Sequence, residues 1–307
     1  MITLAKTLAN SKQELLTYFR SRIGESLEEI RRSYAAKQYK DQATATNKAV
    51  IEAKNTLIKA LIQKASIERW NNEEILRVVL MITYTSYVVM LDARNDVWPY
   101  DFMSFSRRIG ELWEPFCKLC FEFPLSGATL FIPPLFSHVK EKLTNEINSY
   151  IDQLEITEQQ KKELKTYYNK IWGLVTSGEI QLELDLHFEL NARKYVVDFK
   201  SGFGSNEKGN TNRLLLVATA YAILEEGYNC LILVRAEEDK NNNYFRTLKN
   251  SGIWSAYCGE EAYARIEEFS GFPLRKWIIS NVDWKDDLLP ATITHLGKNN
   301  LDQYLVW

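Results

Sequence analysis

The sequence predicts an α/β protein in which a large helical N-terminal region precedes a mixed sheet flanked by helices. Three observations support this fold class. Apolar residues recur at helical spacing through the first third of the chain. From Ile180 onward apolar and polar residues alternate strictly, which is typical of β-strands. A helical segment at 210–226 then precedes the continuous apolar run 229–235, as expected for a strand buried on both faces.

The N-terminal helices carry an excess of positive charge. Between Met1 and Trp70 there are thirteen Lys and Arg against seven Asp and Glu, whereas the whole chain has a formal net charge of −2. A basic segment beside an acidic site would suit a protein that holds phosphate. A solvated helical surface has the same composition, so both interpretations stay open. The candidate phosphate contacts in this segment are Arg31, Arg32, Lys37 and Lys40.

The segment that begins at Asn71 predicts a buried helix. Asn71 or Asn72 suits the N-cap, and acidic residues follow in the first turn, where the helix dipole favours them. The uncharged run Val78–Leu91 is shorter than a membrane-spanning helix requires, so we expect no membrane association. The first ten residues do not resemble an export signal, and Cys117 and Cys120 are expected to be core thiols. We therefore expect a cytoplasmic protein.

A domain boundary is predicted at residue 156. The stretch 92–136 is rich in aromatic residues and contains five prolines, and we expect its rings to form core rather than a base-stacking platform. Two helices with polar faces follow, at 139–156 and 158–174, and Thr157 caps the second. The predicted division is therefore a helical region, 1–156, and a sheet-containing region with a C-terminal extension, 157–307.

The alternating stretch predicts a β-hairpin with one face on the core and one face open to solvent. Its strands run from Ile180 to Leu190 and from Lys194 to Lys200, and Asn191-Ala192 forms the turn. A two-residue turn pairs Leu190 with Arg193. In that register Asp185 faces Asp198, and Glu183 faces Lys200.

Two carboxylates at opposed positions indicate a cation between them. Directly opposed side chains have Cβ atoms about 4.5–5.5 Å apart, where like charges are destabilising. The carboxylates of Asp185 and Asp198 and the carbonyl of Phe199 offer the oxygen ligands that Mg²⁺ prefers. Lys200 lies on the same face as Asp198, where its ammonium group could orient water and offset transition-state charge.

This arrangement resembles the signature of the PD-(D/E)XK nuclease superfamily, which is an acid on one strand and acid-x-Lys on the next. The resemblance covers about residues 158–235, with Leu184 where Pro is common and Asp198 where Glu is more frequent. It implies that Asp185 and Asp198 bind Mg²⁺ and that Lys200 assists the nucleophilic water. Family members often carry a further glutamate near the metal, for which the candidates are Glu163, Glu179 and Glu183.

Chain length and the large helical addition look like a type II restriction endonuclease. That resemblance implies sequence-specific hydrolysis of double-stranded DNA by a homodimer in a restriction–modification system, with 1–156 serving DNA binding or dimerisation. Three alternatives stay open: a repair or recombination nuclease, an enzyme with a nucleotide in the loop 201–212, and a non-catalytic DNA-binding protein. Further candidate DNA contacts are Arg107, Arg108, Arg246, Lys249, Arg265, Arg275 and Lys276.

Overall fold

The structure, a computed structural model, describes residues 12–35, 37–175, 182–204, 207–224 and 227–307. Unit 1 combines the chain up to Ala128 with Glu260–Trp307, and unit 2 is Thr129–Gly259. The units therefore do not follow the predicted single boundary at residue 156. The sheet-containing unit begins earlier, and residues 260–307 belong with the N-terminal helices.

Helices and strands are numbered along the chain. The helices are α1 (Lys12–Ser33), α2 (Tyr39–Ile67), α3 (Asn72–Val97), α4 (Phe102–Glu122), α5 (Phe136–Gln153), α6 (Glu158–Val175), α7 (Lys208–Ile223), α8 (Asn243–Lys249), α9 (Glu260–Ser270), α10 (Leu274–Asn281), α11 (Trp284–Asp287) and α12 (Pro290–Lys298). The strands are β1 (Thr129–Leu130), β2 (Leu186–Leu190), β3 (Arg193–Lys200), β4 (Tyr228–Val234) and β5 (Ser255–Cys258). Short 3₁₀ turns occupy Glu238–Lys240 and Asp302–Tyr304.

α3 is the central helix of unit 1. Its capping box is complete, because the Asn71 side chain accepts the Glu74 N–H at 2.9 Å and the Glu74 carboxylate accepts the Asn71 N–H at 3.0 Å. Nearly all residues from Leu76 to Val97 are buried, which confirms the predicted core helix and extends it past Leu91. By length and composition alone α3 could cross a membrane, but 83% of that apolar stretch is buried within the protein.

Residues after 260 complete the core of unit 1. The ring of Trp307 packs 5.0 Å from that of Trp284 and 4.8 Å from that of Phe116, measured between centroids. The buried carboxylate of Asp287 accepts the Tyr84 hydroxyl at 2.6 Å. These contacts join residues up to about 200 positions apart, which is why the segment folds with the N-terminal helices. In the same unit Cys117 and Cys120 are buried free thiols, as predicted.

Unit 2 contains a five-stranded mixed sheet in the order β1-β2-β3-β4-β5. The pairs β1–β2 and β2–β3 are antiparallel, whereas β3–β4 and β4–β5 are parallel. Parallel neighbours need a crossover connection, which α7 and α8 supply. Residues of α7 form one buried cluster with Val196 and Ile232 of the sheet. The predicted order of hairpin, helix and buried strand is therefore confirmed.

The hairpin has the predicted register but a shorter first strand. Asn191 and Ala192 both have positive φ, 52° and 58°, as a type I′ turn requires. The ladder runs from Leu190↔Arg193 to Leu186↔Val197 and ends there. Two side chains take the next backbone donors: His187 Nε2 accepts the Leu184 N–H, and Asp185 Oδ2 accepts the Phe199 N–H. The strand predicted from Ile180 therefore begins at 186, and residues 180–181 lie outside the described part of the chain.

The face of the hairpin that was predicted to be open is covered by α7. His187 and Asp198 belong to that face, and both are buried. The Tyr221 hydroxyl of α7 lies 3.3 Å from His187 Nε2 and donates to the Leu182 carbonyl at 2.9 Å. The prediction of an open face is wrong, because a helix that connects two parallel strands must pack on the sheet.

Candidate active site

Asp198 is the centre of a charged cluster at the end of β3. The residue is only 1% exposed. The Nζ atom of Lys200 lies 2.5 Å from Asp198 Oδ2. From α7, Arg213 Nη2 lies 3.4 Å from Asp198 Oδ1. A buried carboxylate thus has one cation beside each oxygen, and one of those cations is the predicted lysine.

Asp185 joins this cluster from the neighbouring chain segment. It lies one residue beyond the last ladder pair, so it does not pair with Asp198 across the ladder as predicted. Its Oδ2 instead accepts the Phe199 N–H at 2.7 Å. The N–H and carbonyl of a strand residue point to the same side, so the Phe199 carbonyl faces the side on which Asp185 lies. The three predicted metal ligands are therefore neighbours at one end of the hairpin.

Burial dominates the electrostatics of this cluster. It raises the pKa of Asp198 to about 6. The negative charge of Asp185 acts in the same direction, whereas Lys200 and Arg213 lower that pKa. Desolvation disfavours the charged carboxylate, and the two cations offset only part of this cost. A pKa of about 6 leaves Asp198 ionised at neutral pH.

The donor set fits Mg²⁺ in kind and number. Carboxylate and carbonyl oxygens are the ligands of this hard ion, which commonly uses one or two carboxylates together with water and substrate phosphates. Within the described ranges no cluster of three or more acidic, His or Cys side chains is assembled for a metal. Asp185 and Asp198 would therefore hold the ion with only the Phe199 carbonyl as a further protein ligand. The side chain of Lys200 or of Arg213 would have to move away from the Asp198 carboxylate to make room for the ion.

None of the candidate glutamates forms a hydrogen bond or ion pair with this cluster among the described residues. Glu163 is exposed on α6, where its Oε1 accepts the Gln159 amide at 2.9 Å. Glu183 is exposed and lies outside the ladder, so it does not pair with Lys200 as predicted. Glu179 lies outside the described residues.

Sequence reasoning missed Arg213 and Asn241. The signal for Arg213 was its place in the first turns of the helix that follows the acid-x-Lys strand. Asn241 is buried and holds the segment after β3, since its Oδ1 accepts the Phe203 N–H at 2.8 Å and its Nδ2 donates to the Glu237 carbonyl at 2.8 Å. No local pattern marks this role. A nucleotide in the loop 201–212 stays one of the predicted alternatives, because residues 205–206 of that loop are outside the described part of the chain.

Most of the basic side chains predicted to touch DNA are paired with local acids. An ion pair of this kind lowers the charge that a side chain can offer to phosphate. Lys37 and Lys40 are exposed, and Arg246 lies 3.4 Å from an Asn243 oxygen. The ion pairs are Arg31–Asp96, Arg32–Glu28, Arg107–Glu111, Arg108–Glu111, Lys249–Glu238, Arg265–Glu268 and Arg275–Glu260.

Comparison of the chain with protein-family models, with curated proteins and with solved structures found no match. The function of the chain is therefore inferred from the chemistry of the Asp185–Asp198–Lys200 cluster and from the sheet that carries it.

Proposed function

We propose that this protein is a Mg²⁺-dependent DNA endonuclease of the PD-(D/E)XK type. One observation carries the proposal: a buried acid and a lysine two residues later share the end of a central strand, with a second acid beside them on the adjoining segment. A purely structural salt bridge would not require the second acid, whose charge opposes ionisation of the first. Two acids together are favoured when a cation binds them.

Each residue then has a distinct role. Asp185 and Asp198 would hold the metal, which when bound supplies Lewis-acid chemistry and lowers the pKa of coordinated water. Lys200 would leave its contact with Asp198 and donate hydrogen bonds to the attacking water or to a phosphate oxygen. Its positive charge offsets the negative charge that develops in the transition state. Burial of Asp198 excludes bulk water, which strengthens these interactions.

The finer proposal is a type II restriction enzyme that recognises a specific site in double-stranded DNA. Chain length and the helical unit 1 support it by analogy only. Cleavage of both strands of a symmetric site calls for two active sites, so we propose that the enzyme acts as a homodimer.

The direct test is incubation of plasmid DNA with the purified protein and Mg²⁺. We expect discrete fragments, and we expect Lys200→Ala and Asp198→Asn to reduce the rate at least 100-fold. Glu189→Gln is the matched control, because Glu189 lies in the same hairpin and pairs with Lys194 away from the cluster. Plasmid that stays intact over a range of metals and salt concentrations would refute the proposal. Degradation from ends would favour a repair or recombination nuclease.

The charge balance at Asp198 favours one rival, a non-catalytic DNA-binding protein. Two acids face two bases, so the cluster is neutral without a metal. This rival predicts salt-sensitive DNA binding without cleavage. The two proposals also differ in calorimetric titration with Mg²⁺. The rival predicts the same heats for the wild type and for Asp185→Asn. The nuclease proposal predicts Mg²⁺ binding by the wild type that Asp185→Asn abolishes.

A further inference from the structure

One side of α6 carries large apolar side chains that are exposed to solvent. The exposed fractions are 42% for Leu164, 63% for Tyr167 and 58% for Ile171. Residues at these spacings lie on one side of a helix and form a continuous stripe. Single exposed apolar residues are ordinary, but a contiguous stripe marks an interaction surface.

The stripe is separate from the side of α6 that packs on α5. On that side Lys165 Nζ lies 2.8 Å from the Asp152 carboxylate, and Lys161 donates to the Asp152 carbonyl at 3.0 Å. Counting 100° per residue, Lys165 lies about 100° or more from every residue of the stripe, whereas Lys161 lies about 60° from Leu164, at the border of the stripe. α6 is thus attached along one side and leaves its apolar side uncovered by the described residues.

The sequence of this surface is self-complementary. In an antiparallel pair of helices with a two-fold axis near Tyr167, Leu164 of one copy lies opposite Ile171 of the other, and the two tyrosines meet at the axis. A two-fold interface brings the same patch of both copies together, so each such contact occurs twice. We propose that two copies of this chain associate through antiparallel α6 helices.

Charge on the flank of the stripe favours the same arrangement. Glu163 and Lys170 are seven residues apart, on one flank of α6. In an antiparallel pair the same flank of both helices faces across the interface, so Glu163 of each copy lies beside Lys170 of the other. Neither residue forms an ion pair within the described part of the chain, although Lys170 lies over the Tyr167 ring at 4.9 Å. In a parallel pair each flank would face the opposite flank of the partner helix, so Glu163 and Lys170 would not meet across the interface.

Sedimentation velocity of the full chain tests this inference. We expect a dimer of 35.7 kDa subunits. Reversing one charge, Glu163→Lys or Lys170→Glu, should weaken association about tenfold, since two symmetric ion pairs become repulsive. The double variant E163K/K170E should restore it, because the pairs re-form with exchanged signs. Leu164→Asp should give monomers, whereas Ile132→Asp, at a 92% exposed residue of the same unit, should leave the dimer intact.

A cysteine at the proposed axis gives a second readout. All four native cysteines are buried, so Tyr167→Cys introduces an exposed thiol. Mild oxidation should link two copies of this variant, whereas Ile132→Cys should not form a disulfide-linked dimer. Wild-type protein that stays monomeric at roughly 100 µM, or a dimer that E163K and L164D leave unchanged, would overturn the inference. These outcomes are independent of DNA cleavage, so the proposed function can fail while this inference stands.

Discussion

Asp198 shows how the burial of a single ionisable side chain can lower stability at neutral pH. Lys200 and Arg213 favour its anion, yet burial outweighs them and raises its pKa to about 6 from an ordinary value of 3.8. A carboxylate whose pKa is raised on folding contributes most stability below the unfolded pKa. That contribution is lost as the pH rises through the folded pKa.

We therefore expect Asp198→Asn to stabilise the metal-free protein at neutral pH. Between about pH 3.8 and pH 6 the folded state holds the Asp198 proton that the unfolded state has released, so the free energy of unfolding falls with rising pH. The full loss is on the order of 3 kcal/mol. Urea denaturation in the presence of chelator at pH 4.5 and 7.5, compared between wild type and variant, should show about 2 kcal/mol of this loss, because pH 4.5 already lies above the unfolded pKa. A difference that does not change with pH would contradict this account.

Under the proposed nuclease function, Arg213 is the residue of the cluster best placed to contact a phosphate. Its side chain is 42% exposed, in contrast to the buried carboxylate that it accompanies. We expect Arg213→Gln to lower DNA cleavage at least tenfold through loss of a phosphate contact, and to reduce the slope of log affinity against log salt by about one. Arg193→Gln is the control, since Arg193 is exposed at the turn end of the same hairpin. If the two substitutions have equal effects, Arg213 contributes only general positive charge and makes no specific phosphate contact.

At the scale of elements, local patterns predicted the hairpin well. Period-two alternation and the polar Asn191-Ala192 turn fix the register, and the observed pairing follows it from Leu190↔Arg193 onward. The end of the ladder could not be predicted, because it depends on where the side chains of Asp185 and His187 direct their acceptors. For the same reason Asp185 and Asp198 were expected as a ladder pair, whereas the ladder ends at Leu186↔Val197, one residue before both of them.

The alternation pattern could not show that α7 covers one face of the hairpin. Polar residues such as His187 normally indicate an exposed face. Here the Tyr221 hydroxyl from α7, 34 positions away, lies 3.3 Å from the imidazole Nε2. A buried polar side chain is tolerated when partners are supplied, and a partner that is distant in sequence leaves no local trace.

At the hairpin turn, an Ala→Gly substitution should change the free energy of unfolding in the opposite direction to the same substitution in a helix. Ala192 has φ of 58°, a region that costs an L-residue roughly 1 kcal/mol and that glycine adopts freely. We expect Ala192→Gly to raise the free energy of unfolding by about 0.5–1 kcal/mol. The same chemical change in the exposed interior of α2, Ala60→Gly, should lower it by about 1 kcal/mol. Urea denaturation monitored by circular dichroism measures both, and two effects of the same sign would contradict the turn geometry.

At the scale of the whole molecule, the discontinuity of unit 1 was not predictable. The helix at 139–156 was predicted to belong with the N-terminal helices, yet the structure assigns it to the unit that contains the sheet. Residues that join 260–307 to the N-terminal helices are far apart in sequence, as in the hydrogen bond from the Trp113 indole to the Tyr263 hydroxyl at 2.9 Å. Helical spacing shows that a helix has an apolar face without showing which helix covers it.

Trp307 tests whether the returning segment holds unit 1 together. Its ring is buried against Trp284 and Phe116, and Arg275 donates to its carbonyl. We expect Trp307→Ala to lower the free energy of unfolding by about 3 kcal/mol, through lost burial and the cavity that remains. The adjacent Val306 is 60% exposed, so Val306→Ala should change stability by less than about 0.5 kcal/mol. Urea denaturation followed by far-ultraviolet circular dichroism compares the two. Equal, small effects would mean that α1–α4 hold their core without residue 307, and the contacts of the returning segment would then add little to stability.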